Sequence, residues 1–377
     1  MKTLTFIAAT GSPDRRPRLE KAIRIAKASA LPLAYWGWRR APDEPMGAGL
    51  FDGERRVLAS GPAGGMRTVI GYLRLGLGVF FAALANRGPR VYWALGLETA
   101  LWLRIVALFR KVDYVFDDAD RFVLTVPLPA WLRPAVARLE RSVSRHALAH
   151  VVPLKARYDY DSGTFYVIEN LPDDGLVRRS REISIEPPQA RLLVYVSGWV
   201  GPNRGSAMIE RAARRLEGEN ITFVLATRTF DSAAKSLLLL PNVHELGYVS
   251  QDESLAWCRA CNVSLTFYDP ALPINRLAAP NKWGDALVCE RPFIVNVEVA
   301  TAAPYVQAGA AFAVPWDDDE ALVQLLLSLR DDDARRECAG RAMASLHAQT
   351  PQYEDRIVTL LRRIRGLDSS HAANPVA

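Results

Sequence analysis

Thirteen short apolar runs alternate along this chain with segments of helical periodicity, and no other feature restricts the fold as tightly. In the first half the runs cover residues 4–9, 32–38, 56–59, 91–93, 113–116, 150–153 and 165–168. Helical patterns fill the gaps at 18–29, 68–86, 98–109 and 134–147. The second half repeats the arrangement with strands at 192–197, 221–226, 243–246, 263–267, 293–297 and 312–314, and helices at 206–216, 232–239, 252–260, 279–288, 319–329 and 332–347. Near-continuous apolar strands are buried on both faces, and parallel neighbours need a crossover long enough to hold a helix. The alternation therefore predicts an α/β chain with right-handed crossovers, wound into two Rossmann-like doubly wound domains facing a cleft.

A length of 377 residues favours two domains. The boundaries expected are 1–172 for the first, 173–189 for a polar, proline-bearing connector, 190–355 for the second, and 356–377 for a helix returning to the first domain with a flexible tail. No N-terminal segment reads as a secretory signal, which points to the cytoplasm. The four cysteines form no disulfide or zinc framework, and Cys258 and Cys261 read as buried thiols. The i, i+4 pair His146 and His150 precedes a strand and reads as structural. No metal site and no cofactor is expected.

Charge is divided unevenly. Through Pro172 there are 25 Lys/Arg against 15 Asp/Glu, a balance of +10; the remainder has 22 against 26, a balance of −4. A basic first half suits an anionic partner, and without a nucleic-acid recognition motif that partner is an anionic lipid surface or a phosphorylated acceptor. The most apolar stretch, 69–85, lies in this half, with Arg74 inside it and Arg67, Arg87 and Arg90 beside it. Its uncharged run of 12 residues is too short for a bilayer core of about 30 Å. Two readings stay open for it, a core helix of the sheet and an interfacial surface.

The stretch 275–296, NRLAAPNKWGDALVCERPFIVN, carries the densest chemistry. An irregular polar segment enters a helix bearing Lys282 and Asp285, three residues apart on one face and near its start. A positive helix end, an ammonium and a hydrogen-bond acceptor suit an anionic ligand with hydroxyl groups.

The order of pieces in the second half resembles the C-terminal domain of retaining GT-B glycosyltransferases of the family-four type. The residues that carry it are a strand and glycine-rich turn with Arg204-Gly205, then HELGYVSQDESLAWCRACNVSLTFY, PNKWGDALVCERPFIV and FAVPWDDDEALVQLLLSL. In the first half SPDRRPRLEKAIRIAK, ARLERSVSRHALAHVVPLKARY and VIENLPD resemble further elements of the family, so the likeness covers nearly the whole chain. It implies that Asp285 accepts from ribose hydroxyls, that Arg204 and Lys282 hold the diphosphate, and that the backbone at Tyr248 and Val249 meets the base. Gly205, Thr227, Arg228, Asn275, Arg276 and Asn281 complete the implied donor set. On the acceptor side the resemblance implies Gly11, Ser12 and Arg18.

Three positions depart from the family pattern. Leu277 stands where the first of two acids would be, Trp199 replaces a cation after the turn's glycine, and Glu290 stands where a glycine precedes Arg291-Pro292. Clustered carboxylates at Asp117, Asp118 and Asp120, and Glu98 after another strand edge, are candidates to orient an acceptor hydroxyl or take its proton, or, for the aspartates, to cap a helix. The function implied is metal-independent hexosyl transfer, with retention, from a UDP- or GDP-linked sugar to a glycan or lipid-linked acceptor. The setting expected is surface polysaccharide assembly at the inner face of the cytoplasmic membrane, with peripheral attachment and no nucleic acid. Two alternatives are a nucleotide-sugar epimerase of the same fold and a non-catalytic scaffold for another glycosyltransferase.

Overall fold

The computed structural model describes residues 2–229 and 231–366, the side chains of Arg228 and Thr229 excepted. They fall into two units: the chain up to Glu169 together with the residues from Glu354 on, and Asn170–Tyr353. The tail expected after the C-terminal helix, Tyr353–Arg365, lies outside the described residues.

In the first unit seven strands form one parallel sheet: β1 (Thr3–Ala8), β2 (Leu33–Arg39), β3 (Glu54–Ser60), β4 (Arg90–Leu95), β5 (Asp113–Asp117), β6 (Ala149–Val152) and β7 (Phe165–Val167). Their spatial order is β3-β2-β1-β4-β5-β6-β7. In the second unit β8 (Leu192–Val200), β9 (Ile221–Thr229), β10 (Val243–Glu245), β11 (Val263–Thr266), β12 (Phe293–Asn296) and β13 (Ala311–Val314) form a parallel sheet in the order β10-β9-β8-β11-β12-β13. In both, winding reverses after the third strand. The loops leaving β1 and β4, and those leaving β8 and β11, therefore diverge and open a crevice at the strands' C-terminal ends, where doubly wound folds hold ligands.

Alternation along the central strands builds a core on each sheet face. Leu192, Val194 and Val196 of β8 point to one side with Phe223, Met208 and Leu326, while Leu193 and Tyr195 point to the other with Val224, Leu255 and Cys258. Cys258, Cys261 and Cys289 are buried free thiols. In the first unit Ile7, Trp36, Trp38, Tyr92 and Phe116 anchor the equivalent core.

Two local features differ from the sequence reading. The segment 198–200 is strand, because Gly198, Trp199 and Val200 pair with Thr227, Arg228 and Thr229, so the turn begins only at Gly201. The connector carries a helix, Asp174–Glu182, whose first turn is capped by the Asp173 carboxylate accepting from the Leu176 N–H at 2.8 Å. Leu176 seals it onto the second unit's core. Val177 packs beside it and Arg259 donates to Ser180 at 3.2 and 3.1 Å, contacts too few and too polar for periodicity to reveal.

Candidate functional site

In the second unit the helix Asn281–Val288 is the organising element. Trp283 fixes its rotation: the indole stacks on Phe293 at 5.1 Å and donates to Thr266 Oγ1 at 3.0 Å. Gly284 lies so close to the Asn170 carbonyl that a Cβ would stand 2.2 Å from its oxygen. With Ala286, Leu287 and Val288 also buried, Lys282 and Asp285 are left on the half-exposed face. The N-cap, Pro280, offers no side-chain cap to the first-turn N–H groups, so that end keeps its partial positive charge.

Lys282 reaches back to β8. Its Cε lies 3.2 Å and its Nζ 3.7 Å from the place a Cβ on Gly198 would take, so a side chain there would crowd the lysine, and φ +78° at Gly198 strains any other residue. Burial, and next the charge of Arg204, push the ammonium down to about 8, with Asp285 opposing. Arg204 ends the turn Pro202–Arg204, its guanidinium 4.6 Å above the Tyr268 ring. It donates to the Asn203 carbonyl at 3.0 Å and to Asn275 Oδ1 at 3.3 Å. Asn275 is buried and donates to the Asp269 carbonyl at 2.9 Å. Among the described residues neither Arg204 nor Lys282 forms an ion pair with a carboxylate. Gly205 is left-handed, φ +72°, and a Cβ there would press on Phe267 at 3.2 Å.

The rest of the implied donor set sits on the same sheet edge. Thr227 is buried on β9 beside Gly198. The side chain of Arg228 lies outside the described residues. Tyr248 is exposed and Val249 half-buried in the loop after β10, which ends in the capping box of Ser250 and Glu253. Arg276 bonds the Pro270 carbonyl at 2.7 Å, and Asn281 is exposed at the first helical position. A cavity of about 800 Å³ lies apart from all of these, at the opposite ends of β11 and β12, beside Asn262, Arg291 and Pro292.

In the first unit the carboxylates after β5 have unequal tasks. Asp117 is fully engaged: Arg18 Nε donates to one oxygen at 2.8 Å and Trp93 Nε1 to the other at 2.9 Å. Arg18 also donates to the Ile168 carbonyl at 3.1 Å, so both residues tie β5 to the first helix and the end of β7. Asp118, buried, accepts from the Tyr158 hydroxyl at 2.6 Å, with His150 Nε2 at 3.8 Å. Burial lowers the pKa of His150, which stacks on Phe116 at 4.2 Å and pairs with Ser144 at 2.9 Å. Asp120 is exposed and meets Arg157 at 3.2 Å. None caps the short helix Phe122–Thr125, whose N-cap is Arg121. Arg121 instead bridges Glu140 at 2.9 Å and Asp159 at 2.6 Å beneath Tyr158.

Glu98 stands near the start of the helix Leu97–Val106, beyond Gly96 at the end of β4. Burial raises its carboxyl to about 7, Asp118 adds to the rise, and Arg16 and Arg40 oppose it. Gly11 and Ser12 leave β1 on the other side of the same switch point. A Cβ on Gly11 would collide with Glu44 Oε2, and the buried Ser12 hydroxyl has no hydrogen-bond partner among the described residues. Gly198, Tyr268, Arg16 and Arg40 escaped the sequence reading as site residues; only the switch-point topology brings them to the ligands' side.

No protein-family model matches the sequence, and none of the curated proteins matches it. Solved structures do match in shape. Sucrose-phosphate synthase from Thermosynechococcus elongatus superposes with a TM-score of 0.69 at 13% identity, covering 97% of this chain and 99% of that one. HepE from Anabaena, in complex with UDP and glucose, gives 0.69 at 14% identity over 97% and 100%. S. aureus MnaA with UDP gives 0.65 at 12% identity over 99% and 100%. The chain thus has the two-domain Rossmann-like architecture of GT-B proteins.

Proposed function

We propose that this chain is a GT-B glycosyltransferase of the retaining type that takes its sugar from a nucleoside-diphosphate donor. The observation that carries the reading is the pairing of Arg204 with a depressed Lys282 at an uncapped helix start, two cations among buried neighbours with no carboxylate ion pair. Asp285 offsets the two charges only in part, and a diphosphate completes the compensation. HepE and MnaA were each solved with UDP, which makes UDP the first base to test.

The chemistry follows from charge. When the bond between the sugar's anomeric carbon and the diphosphate breaks, negative charge grows on the leaving phosphate. Arg204, Lys282 and the first-turn N–H groups stabilise that charge without a metal. Asp285 accepts from the ribose hydroxyls, and Asn275 and Arg276 contact the sugar. The acceptor oxygen forms the new glycosidic bond, and its proton passes to the departing β-phosphate. Glu98 of the first unit orients the acceptor, a glycan or lipid-linked sugar, with the buried Asp118 acting on Glu98 only through charge, and surface polysaccharide assembly in the cytoplasm is the setting that accommodates it.

The test is a thermal-shift screen of nucleotides and nucleotide sugars, since a ligand bound only by the folded chain raises its melting temperature. UDP or GDP should stabilise the wild type and fail to stabilise a Lys282→Met, Arg204→Met double variant. Transfer of labelled sugar to an acceptor then completes the case; a chain indifferent to every nucleoside diphosphate defeats it.

A further inference from the structure

The helix Met66–Ala85 joins β3 to β4 and is built inside out. Its inward face is made of small residues: Cβ atoms on Gly71 and Gly76 would penetrate the rings of Trp38 and Trp102, and one on Gly78 would stand 2.9 Å from Leu58. With Leu75, Val79 and Ala82 buried between them, this face lies flush on the core. Tyr72 and Phe80 pack at its margins, and the other bulky apolar side chains point away from the core. Met66, Ile70, Leu73, Leu77, Phe81 and Leu84 are each between 37% and 73% exposed, at spacings of three and four that align them in one stripe. A soluble crossover helix carries polar residues there.

The helix is long and apolar enough to cross a bilayer. It cannot do so as folded, because it is the crossover between two strands of a parallel sheet and one face belongs to the core. Only the outer stripe is available. Phe109, also largely exposed, continues the apolar surface through its ring contact with Phe80 at 6.1 Å.

Charge selects the partner. Between Glu54 and Glu98 there is no acidic residue, yet six arginines occur, Arg55, Arg56, Arg67, Arg74, Arg87 and Arg90. Arg67 and Arg74 are exposed on the helix itself, and Arg55 and Arg56 on β3 at the sheet edge. An apolar stripe on a helix that carries two exposed arginines and no carboxylate of its own, beside the exposed Arg55 and Arg56 and with Glu54 paired to Arg90, matches an anionic lipid surface better than an apolar protein groove. We infer that this helix docks the chain onto an anionic membrane, lying in the plane of the interface with the Leu73–Phe81 stripe among the acyl chains. The docking stands independently of the transferase reading.

The test is flotation of the full chain with vesicles of phosphatidylcholine alone and of phosphatidylcholine with phosphatidylglycerol. The wild type should float with the anionic vesicles, less with the neutral ones, and less as salt rises. A Leu73→Ser, Phe81→Ser variant, altered only at exposed positions, should bind at least about tenfold more weakly while keeping its melting temperature and its response to UDP. An Arg67→Gln, Arg74→Gln variant should lose the preference for anionic lipid. Absence of flotation overturns the inference. So does lipid-independent dimerisation abolished by the serine substitutions, which would make the stripe a contact between copies of the chain.

Discussion

At the scale of single residues, Lys282 governs the pH response. Its folded pKa of about 8 lies below the ordinary 10.5, so above pH 8 the ammonium is progressively lost. A bound diphosphate favours the charged form, so binding takes up a proton and weakens as pH rises past 8. Calorimetric titration with UDP should show this fall in the wild type and not in Lys282→Arg, while Lys282→Met binds about 10- to 100-fold more weakly, the worth of one charged hydrogen bond. Glu98 gives the opposite kind of linkage. Its folded pKa near 7 exceeds the ordinary 4.5, so between those values the folded chain holds more protons than the unfolded one and stability declines as pH rises through the window. Urea unfolding at the two ends of that range should show the decline in the wild type and a smaller one in Glu98→Gln. Glu290 explains one departure from the family pattern: it has φ +55°, a left-handed conformation that a glycine adopts without strain. Glu290→Gly should stabilise the chain by about 1 kcal/mol in denaturant unfolding. Helical spacing is local and places Lys282 and Asp285 on one helix face from the sequence alone, while Arg204 enters the proposed site only through the family resemblance. Gly198 and Tyr268 were not legible, since one matters for the lysine that lies over it and the other for the guanidinium it supports.

Among the elements, the central strands were legible because they are buried on both faces and announce themselves as apolar runs, whereas the edge strands β3 and β10 are largely exposed and carry only a short apolar core. The helix Asp174–Glu182 was hidden by polarity, its stability resting on a cap and two partly apolar turns. Asp173→Ala removes the acceptor for the Leu176 N–H and should cost about 1 kcal/mol in urea unfolding. A negligible loss would mean that the remaining contacts hold the helix without the cap. The crossover Met66–Ala85 shows a different limit. Composition marked it as apolar but could not say which side faced the core. That was decided by glycines opposite Trp38 and Trp102, a tertiary fit between residues distant in sequence.

For the molecule as a whole, the repeated strand order means that each unit has its own switch point, the place where doubly wound folds hold ligands. The cations without carboxylate partners stand at the second unit's switch point, in Gly198–Gly205 and Lys282. The carboxylates of Glu98, Asp117 and Asp118 stand at the C-terminal edge of the first. On the reading proposed above, a nucleoside diphosphate is an anion and seeks the former; at the latter Asp117 is held by Arg18 and Trp93 and Asp118 by Tyr158, which leaves Glu98 to meet the hydroxyl of the proposed acceptor. Amide hydrogen exchange separates the two. On addition of UDP, protection should rise in peptides covering 196–206 and 266–288 and stay unchanged over 93–125, because ligand binding suppresses the local openings that expose those amides. Protection over 93–125 instead would move the nucleotide to the first unit, where Arg16 and Arg40 are the cations nearest Glu98, and would leave Lys282 depressed by burial for a reason other than diphosphate binding.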